Sequence, residues 1–253
     1  MGRSTSSYPV PSRPDGPAIN SPAPLRVLIG HGSRDPRSAI ALARLAESLS
    51  LPQAPVATAL LECQTQPLSH QLADLAAVAR RDGRPGLVLY PLFLLAGHHV
   101  CEDIPTEVAI ARTLLEAVPI QVQPALGEHP DLGWLLASQL PEQRPCILVA
   151  HGSRRPGALV GVEQLAARLG ARLAFWAQDP HLSDLLAVNP EPAVVIPYFL
   201  FPGGITDTLA TAIAAYPGVT LLPPLGELPG FESLLRTWLG LKTTEDGDDR
   251  LSS

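Results

Sequence analysis

Cysteine is scarce. Cys63, Cys101 and Cys146 are the only three in 253 residues, widely spaced and without a C-x-x-C pair. An odd, scattered set excludes a disulfide framework and fits a reducing compartment. Clustered basic charge is missing as well: the formal net charge is −6 and no block of Lys and Arg occurs. That argues against nucleic acid as a partner, because phosphate binding depends on a concentrated basic surface. Long apolar runs are absent. The longest, GLVLYPLFLLAG, is too short to span a bilayer, and the opening MGRSTSSYPVPSRPDGPAINSPAP has no apolar core of the kind a signal peptide needs. MGRSTS satisfies the loose N-myristoylation pattern, but nothing else points to a membrane, and the expected location is cytoplasmic. Nucleotide fingerprints are lacking too. GHGSRDPR offers small residues leading into a helix start, yet neither G-x-x-x-x-G-K-[ST] nor G-x-G-x-x-G is present. The serine of HGSR does not sit in the G-x-S-x-G elbow of a serine hydrolase.

What is present is globular and repeated. Hydrophobic residues make up 46% and charged ones 17%, enough core for one large domain or two ordinary ones. Residues 1–24 are rich in Pro and Ser, and 242–253 are polar and charged, so both ends read as disordered tails. Between them RVLIGHGSRDP (26–36) returns as CILVAHGSRRP (146–156). LYPLFLLAGHH (89–99) returns as VIPYFLFPGGI (195–205), and PALGEHPDLGWLL (124–136) as PPLGELPGFESLL (223–235). Three matches in the same order indicate a duplication, with one copy over 25–142 and the other over 143–241.

Each copy alternates short apolar runs with helical patterns. In the first, LRVLIG, APVATALLE, GLVLYPLFL and IQVQPAL read as strands. SAIALARLAESL and PLSHQLADLAAVARRDG read as helices, the first capped by Asp35-Pro36 and the second stopped by Gly83. A further helix is expected from Ile104. This alternation predicts an α/β fold of two similar parallel-sheet domains.

In such sheets ligands occupy the crevice at the carboxyl ends of the strands, and three regions deliver polar groups there. His31 follows the first strand, Glu62 closes the second, and His98 and His99 follow the third. Each has a bland alternative. His31 can be an inert loop residue, since His151 has the same context in a copy that lacks the rest. One of His98 and His99 can be a solvated neighbour. Glu62 can be a surface carboxylate, though a charge ending an apolar strand is costly without a partner. Asp103 reads as the cap of the following helix, Glu102 as solvated, and Cys63 and Cys101 as small hydrophobes. His70 and His181 fall in helical segments facing solvent, and His129, after the fourth strand, reads first as a residue away from the site, with the rim of the crevice as the alternative.

LIGHGSRDPR, LLECQTQPL and YPLFLLAGHHVCEDIP, with HGSRRPG and PYFLFPGGITD in the second copy, together resemble the sirohydrochlorin chelatases of the CbiX/SirB type, in their long two-copy form. The resemblance covers nearly the whole chain between the tails. It implies the class II chelatase fold, two similar α/β domains facing each other across a cleft. It also implies insertion of Co²⁺ or Fe²⁺ into sirohydrochlorin without ATP or a prosthetic group, for cobalamin or sirohaem synthesis. By position it assigns the catalytic and metal-binding histidines to His31 and His99, with His98 in a variable slot, and the carboxylate to Glu62. In the second copy the matching positions are His151, Phe175 and Ile205, so the first copy is the catalytic half and the second a degenerate wall. Arg34, Arg37, Arg154 and Arg155, with His98 and His151, are placed to meet substrate carboxylates. A non-catalytic metal or tetrapyrrole carrier is the alternative, although no thiolate set or closed four-ligand group supports it. A monomer is expected, since two copies complete a cleft.

Overall fold

The computed structural model describes residues 22–114, 118–141, 144–188 and 193–241. Apart from 22–24, the expected tails lie outside the described residues, as does the boundary at 142/143.

Each short apolar run becomes a strand of a parallel sheet. β1 (Leu25–Gly30), β2 (Val56–Leu60), β3 (Leu87–Pro91) and β4 (Ile120–Val122) pair in the order β2-β1-β3-β4. β5 (Cys146–Ala150), β6 (Ala171–Phe175), β7 (Ala193–Pro197) and β8 (Val219–Leu221) repeat that order as β6-β5-β7-β8. Every residue of β5 and all but one of β1 are buried, as strands covered on both faces must be. The covering helices are α1 (Pro36–Leu49), α2 (Leu68–Arg81), α3 (Ile104–Leu114) and α4 (Leu132–Ala137) in the first half. Their counterparts are α5 (Val160–Arg168), α6 (Leu182–Val188), α7 (Gly204–Ile213) and α8 (Phe231–Trp238).

The local signals act as expected at α1 and α2. The Asp35 carboxylate accepts the Arg37 N–H at 3.0 Å and Pro36 opens α1, while Gly83 leaves α2 in the left-handed region at φ 66°. The fold is α/β with two copies of one plan.

The core has three parts. α2 and α3 cover one face of the first sheet through Val27, Ile29, Leu72 and Val108, and α6 and α7 cover one face of the second through Val149, Val195, Leu186 and Leu209. The remaining faces meet in one continuous cluster that includes Leu28, Leu42 and Tyr90 from the first half and Leu148, Phe175 and Leu235 from the second. Polar contacts tie the same seam: Arg26 Nε donates to the Leu239 carbonyl at 2.6 Å, and the Trp238 ring stands edge-on to Tyr90 at 5.1 Å. With their sides joined in this way, the two halves bring the carboxyl ends of their central strands to one cleft.

Candidate metal-binding site in the cleft

The cleft has two lobes built to the same plan. One, of about 410 Å³, lies between the loop after β3 (Leu92 to Leu95, then Gly97 to His99) and the loop after β5 (His151 to Ser153). The other, of about 370 Å³, lies between the loop after β7 (Phe199 to Thr206) and the loop after β1 (Gly30 to Ser33). His31 and His151 line both. Exchanging the halves exchanges the lobes.

One donor cluster adjoins them, beside the lobe that His99 lines. His31, Glu62 and His99 each offer a ligand atom, and these atoms all lie within 4.8 Å of one another. His99 Nε2 is 3.9 Å from Glu62 Oε1, and the His31 and His99 rings meet edge to face at 4.6 Å. Phe93 lies about 6 Å from both rings, at 6.0 and 6.1 Å, and forms an apolar side to the cluster. His31 Nδ1 is 2.8 Å from the Gly32 carbonyl, which can only accept, so in the neutral ring this contact selects the tautomer with the proton on Nδ1 and the lone pair on Nε2. Two metal bonds of about 2.1 Å span at most about 4.2 Å, so the three donors need only a small inward adjustment to share one ion. Two imidazoles and a carboxylate suit a divalent first-row cation, and three donors leave coordination positions open.

The backbone explains how these groups meet. The Glu62 N–H donates to the His31 carbonyl at 2.8 Å, locking the loop after β2 onto the loop after β1. Gly32, at φ 92°, permits it: a Cβ there would stand 2.0 Å from the Glu62 carbonyl oxygen. Cys63 adopts a left-handed backbone at φ 58° directly after Glu62, a conformation that costs a non-glycine residue about 1–3 kcal/mol. After β3 the chain enters helix early, in a π turn over His99–Asp103 that runs into α3.

The structure corrects several sequence readings. Asp103 does not cap a helix at Ile104. It closes the π turn, and its Oδ2 lies 2.7 Å from His99 Nδ1. Glu102 is not merely solvated, since its carboxylate lies 3.3 Å from His98 Nδ1 and 3.5 Å from Arg155 Nε of the other half. Cys63 and Cys101 are exposed, not small hydrophobes in a core; Cys146 is the buried one. His129 is not at the cleft rim. Its ring packs on Trp238 at 5.9 Å, its Nδ1 accepts the Asp131 N–H, and burial lowers its pKa. His70 is exposed on α2, whereas His181 precedes α6 and is half-buried with Nδ1 3.1 Å from the Phe175 carbonyl.

The second-copy counterpart of Glu62 also moves. β2 and β6 pair with β1 and β5 in the same register, Gly30 with Leu60 and Ala150 with Phe175. Phe175 therefore matches Leu60, and Ala177, whose N–H donates to the His151 carbonyl, matches Glu62. Pro91 and Pro197 likewise end β3 and β7 against Ile29 and Val149. His99 and Ile205, each eight residues past its proline, are therefore matching positions.

Of the groups expected at substrate carboxylates, His98 and His151 line the cleft, and Arg34 and Arg154 are exposed on its rim loops. Arg37 is otherwise engaged. Its guanidinium contacts Asp35 and, across the halves, Asp207, both at 2.6 Å. Both carboxyls are held below the usual carboxylate range, chiefly by these hydrogen bonds. The pairs His98–Glu102 and His99–Asp103 are each four residues apart in HHVCED, a spacing that signals contact only once that segment is helical. The two cross-half pairs had no such signal.

The family model described as CbiX matches residues 26–143 and again residues 145–239. The chain belongs to the CbiX family. No curated protein matches the sequence. Among solved structures this CbiX chain is similar to SirB from Bacillus subtilis with Fe³⁺, at 20% identity and a TM-score of 0.69 over 88% of this chain and 97% of that one. It is similar to the sirohydrochlorin chelatase SirB of B. subtilis subspecies spizizenii in complex with cobalt, at 20% identity and 0.68 over 85% and 93%. A multi-domain protein of Deinococcus radiodurans, described as structurally similar to chelatases, matches at 22% identity and 0.63 over 86% of this chain and 55% of that one. At these identities the likeness establishes a shared fold. No helix among the described residues is long and apolar enough to cross a membrane.

Proposed function

We propose that this CbiX chain is a sirohydrochlorin chelatase, inserting Co²⁺ or Fe²⁺ as a metal substrate into the macrocycle without ATP, on a route to cobalamin or sirohaem. The observation that carries the reading is the His31, Glu62 and His99 cluster beside the cleft, whose second-half counterparts at two of the three positions, Ala177 and Ile205, offer no donor.

Insertion requires an incoming ion to shed water and two pyrrole protons to leave. Imidazole is the side chain that both binds such ions and accepts a proton near neutral pH. His31 and His99 divide or share these tasks, and Glu62 offsets the positive charge of the ion beside His99. Because the donor set is open, a bound ion can pass on to the macrocycle. His98, His151, Arg34 and Arg154 on the rim receive the substrate carboxylates. The relatives solved with Fe³⁺ and with cobalt support a metal in this fold. Both lobes come from one chain, so a monomer in the cytoplasm suffices.

The test is direct. Sirohydrochlorin mixed with the protein and Co²⁺ or Fe²⁺ should lose its metal-free absorbance faster than in a protein-free control. Equal rates with and without protein would refute the proposal.

A further inference from the structure

We infer that Asp103 is a positioning residue: it fixes the tautomer and the aim of His99, and the π turn is the element that brings the two together. The inference deepens the chelatase reading, but it is carried by the ring geometry alone.

An imidazole has two nitrogens, and in the neutral ring only the unprotonated one can donate to a metal ion. A free neutral imidazole favours its proton on the nitrogen remote from the backbone, Nε2. At His99 that preference would be unproductive, because Nε2 is the atom that faces Glu62, at 3.9 Å. An N–H would then point at the centre where a lone pair is needed. Asp103 Oδ2 sits 2.7 Å from the opposite nitrogen, Nδ1. An ionised carboxylate can only accept, so this contact holds the proton on Nδ1 and leaves the Nε2 lone pair directed toward Glu62 and His31. His31 reaches the same state through a backbone oxygen, the Gly32 carbonyl. His99 has no such carbonyl among its hydrogen-bond partners and uses a side chain.

The carboxylate is itself steadied. Its other oxygen, Oδ1, lies 3.5 Å from His98 Nε2, and His98 Nδ1 lies 3.3 Å from Glu102. Asp103 thus bridges both histidines, which gives the variable-slot His98 a structural role on the same carboxylate.

The second half supplies the contrast. The π turn adds a residue to the first half, so beyond it the buried Ile104 and Val108 match Leu209 and Ile213, and Asp103 matches Thr208. Thr208 is exposed, and its hydroxyl donates to the Gly204 carbonyl at 2.8 Å. That half runs directly from Gly204 into regular α-helix, and the π turn belongs to the first half alone among the described residues. Donor, orienting carboxylate and widened turn are present together in one copy and missing together from the other. π turns recur at functional sites.

The experiment uses the full chain without tetrapyrrole and three variants: Asp103→Leu, which keeps a side chain of similar size without an acceptor, Asp103→Ala, and Asp103→Asn. Two readouts are taken: the His99 tautomer, from long-range ¹⁵N–¹H correlation at a pH where the ring is neutral, and Co²⁺ affinity by calorimetry. The wild type should carry its proton on Nδ1. Asp103→Asn should keep it there, because the amide oxygen still accepts, and should lose less than about tenfold in Co²⁺ affinity. Asp103→Leu and Asp103→Ala should move the proton to Nε2 and weaken Co²⁺ binding about 10–100-fold, the usual effect of losing a metal ligand's orienting partner. An Nδ1 proton retained in the alanine or leucine variant, or unchanged Co²⁺ affinity in both, would overturn the inference. Neither readout involves sirohydrochlorin, so a failed chelatase assay leaves this test intact.

Discussion

His31 and His151 have the same backbone setting and different company. Both follow a central strand, both direct Nδ1 at the next carbonyl, and both line the two lobes of the cleft. Only His31 has Glu62 and His99 within ligand distance. His31→Ala and His99→Ala should therefore abolish most chelatase turnover. His151→Ala should keep at least about a tenth of it, a barrier increase of no more than about 1.4 kcal/mol. The three rates measured side by side decide the point, and equal losses at His31 and His151 would require a symmetric site. The donors could be read from sequence because each sits just past an apolar strand, where an open sheet gathers its ligands. Asp103 could not be assigned in that way. The same aspartate before an Ile-Pro pair serves equally as a helix cap, and a π turn has no distinct residue signature. Glu62 and its second-copy counterpart were mismatched for a related reason: apolar runs locate a strand without fixing its end, and only register against β1 and β5 equates Leu60 with Phe175.

At the scale of elements, the loops after β1 and β5 offer a controlled comparison. Gly32 and Gly152 share a left-handed backbone, φ 92° and 90°. A Cβ on Gly32 meets the Glu62 carbonyl at 2.0 Å, a backbone atom with nowhere to go, whereas on Gly152 it meets the flexible Gln178 side chain at 3.0 Å. Alanine at either position should cost about 1–3 kcal/mol from backbone conformation alone. Gly32→Ala should cost clearly more and should also weaken Co²⁺ binding, since it pushes the Glu62 turn away from His31. Thermal melts of the two variants, at about 2–4 °C per kcal/mol for a chain of this size, with Co²⁺ titrations, check this. Matching losses in both measurements would mean that the loop carrying Glu62 adapts freely. These glycines stand in repeated G-H-G and A-H-G contexts, yet the need for them lies in a loop some thirty residues away, and adjacent sequence could not reveal it.

At the scale of the whole molecule, the seam between the halves decides behaviour. Leu28, Leu42 and Tyr90 share one cluster with Leu148, Phe175 and Leu235, so a separated first half would expose a broad apolar face. Residues 25–141 expressed alone should associate or bind a hydrophobic dye, as seen by gel filtration and dye fluorescence. A monomer with a sharp unfolding transition would contradict a shared core. The Arg37 pair with Asp207 latches the same halves at the cleft edge, and its pH response has a definite sign. The Asp35 and Asp207 carboxyls are held below their ordinary value of 3.8, so whatever the latch contributes is complete above that pH and fades as acid falls through the lower folded values. Asp207→Asn should melt slightly below the wild type by an amount that is constant from neutral pH down to about 4 and shrinks only in stronger acid. A difference that changes around neutral pH would assign the effect to other groups. The paired sheets and their seam follow from a duplication plain in the sequence, while the latches, formed by residues 170 and 53 positions apart (207 − 37, 155 − 102), emerge only from folding. One consequence concerns inheritance. In a pair of identical subunits every substitution is written twice, and a residue that suits one side of a shared cleft is imposed on the other. Here each side has its own stretch of sequence, so Ala177, Ile205 and Thr208 could stand in one half while Glu62, His99 and Asp103 stayed in the other, and either half can go on changing one mutation at a time.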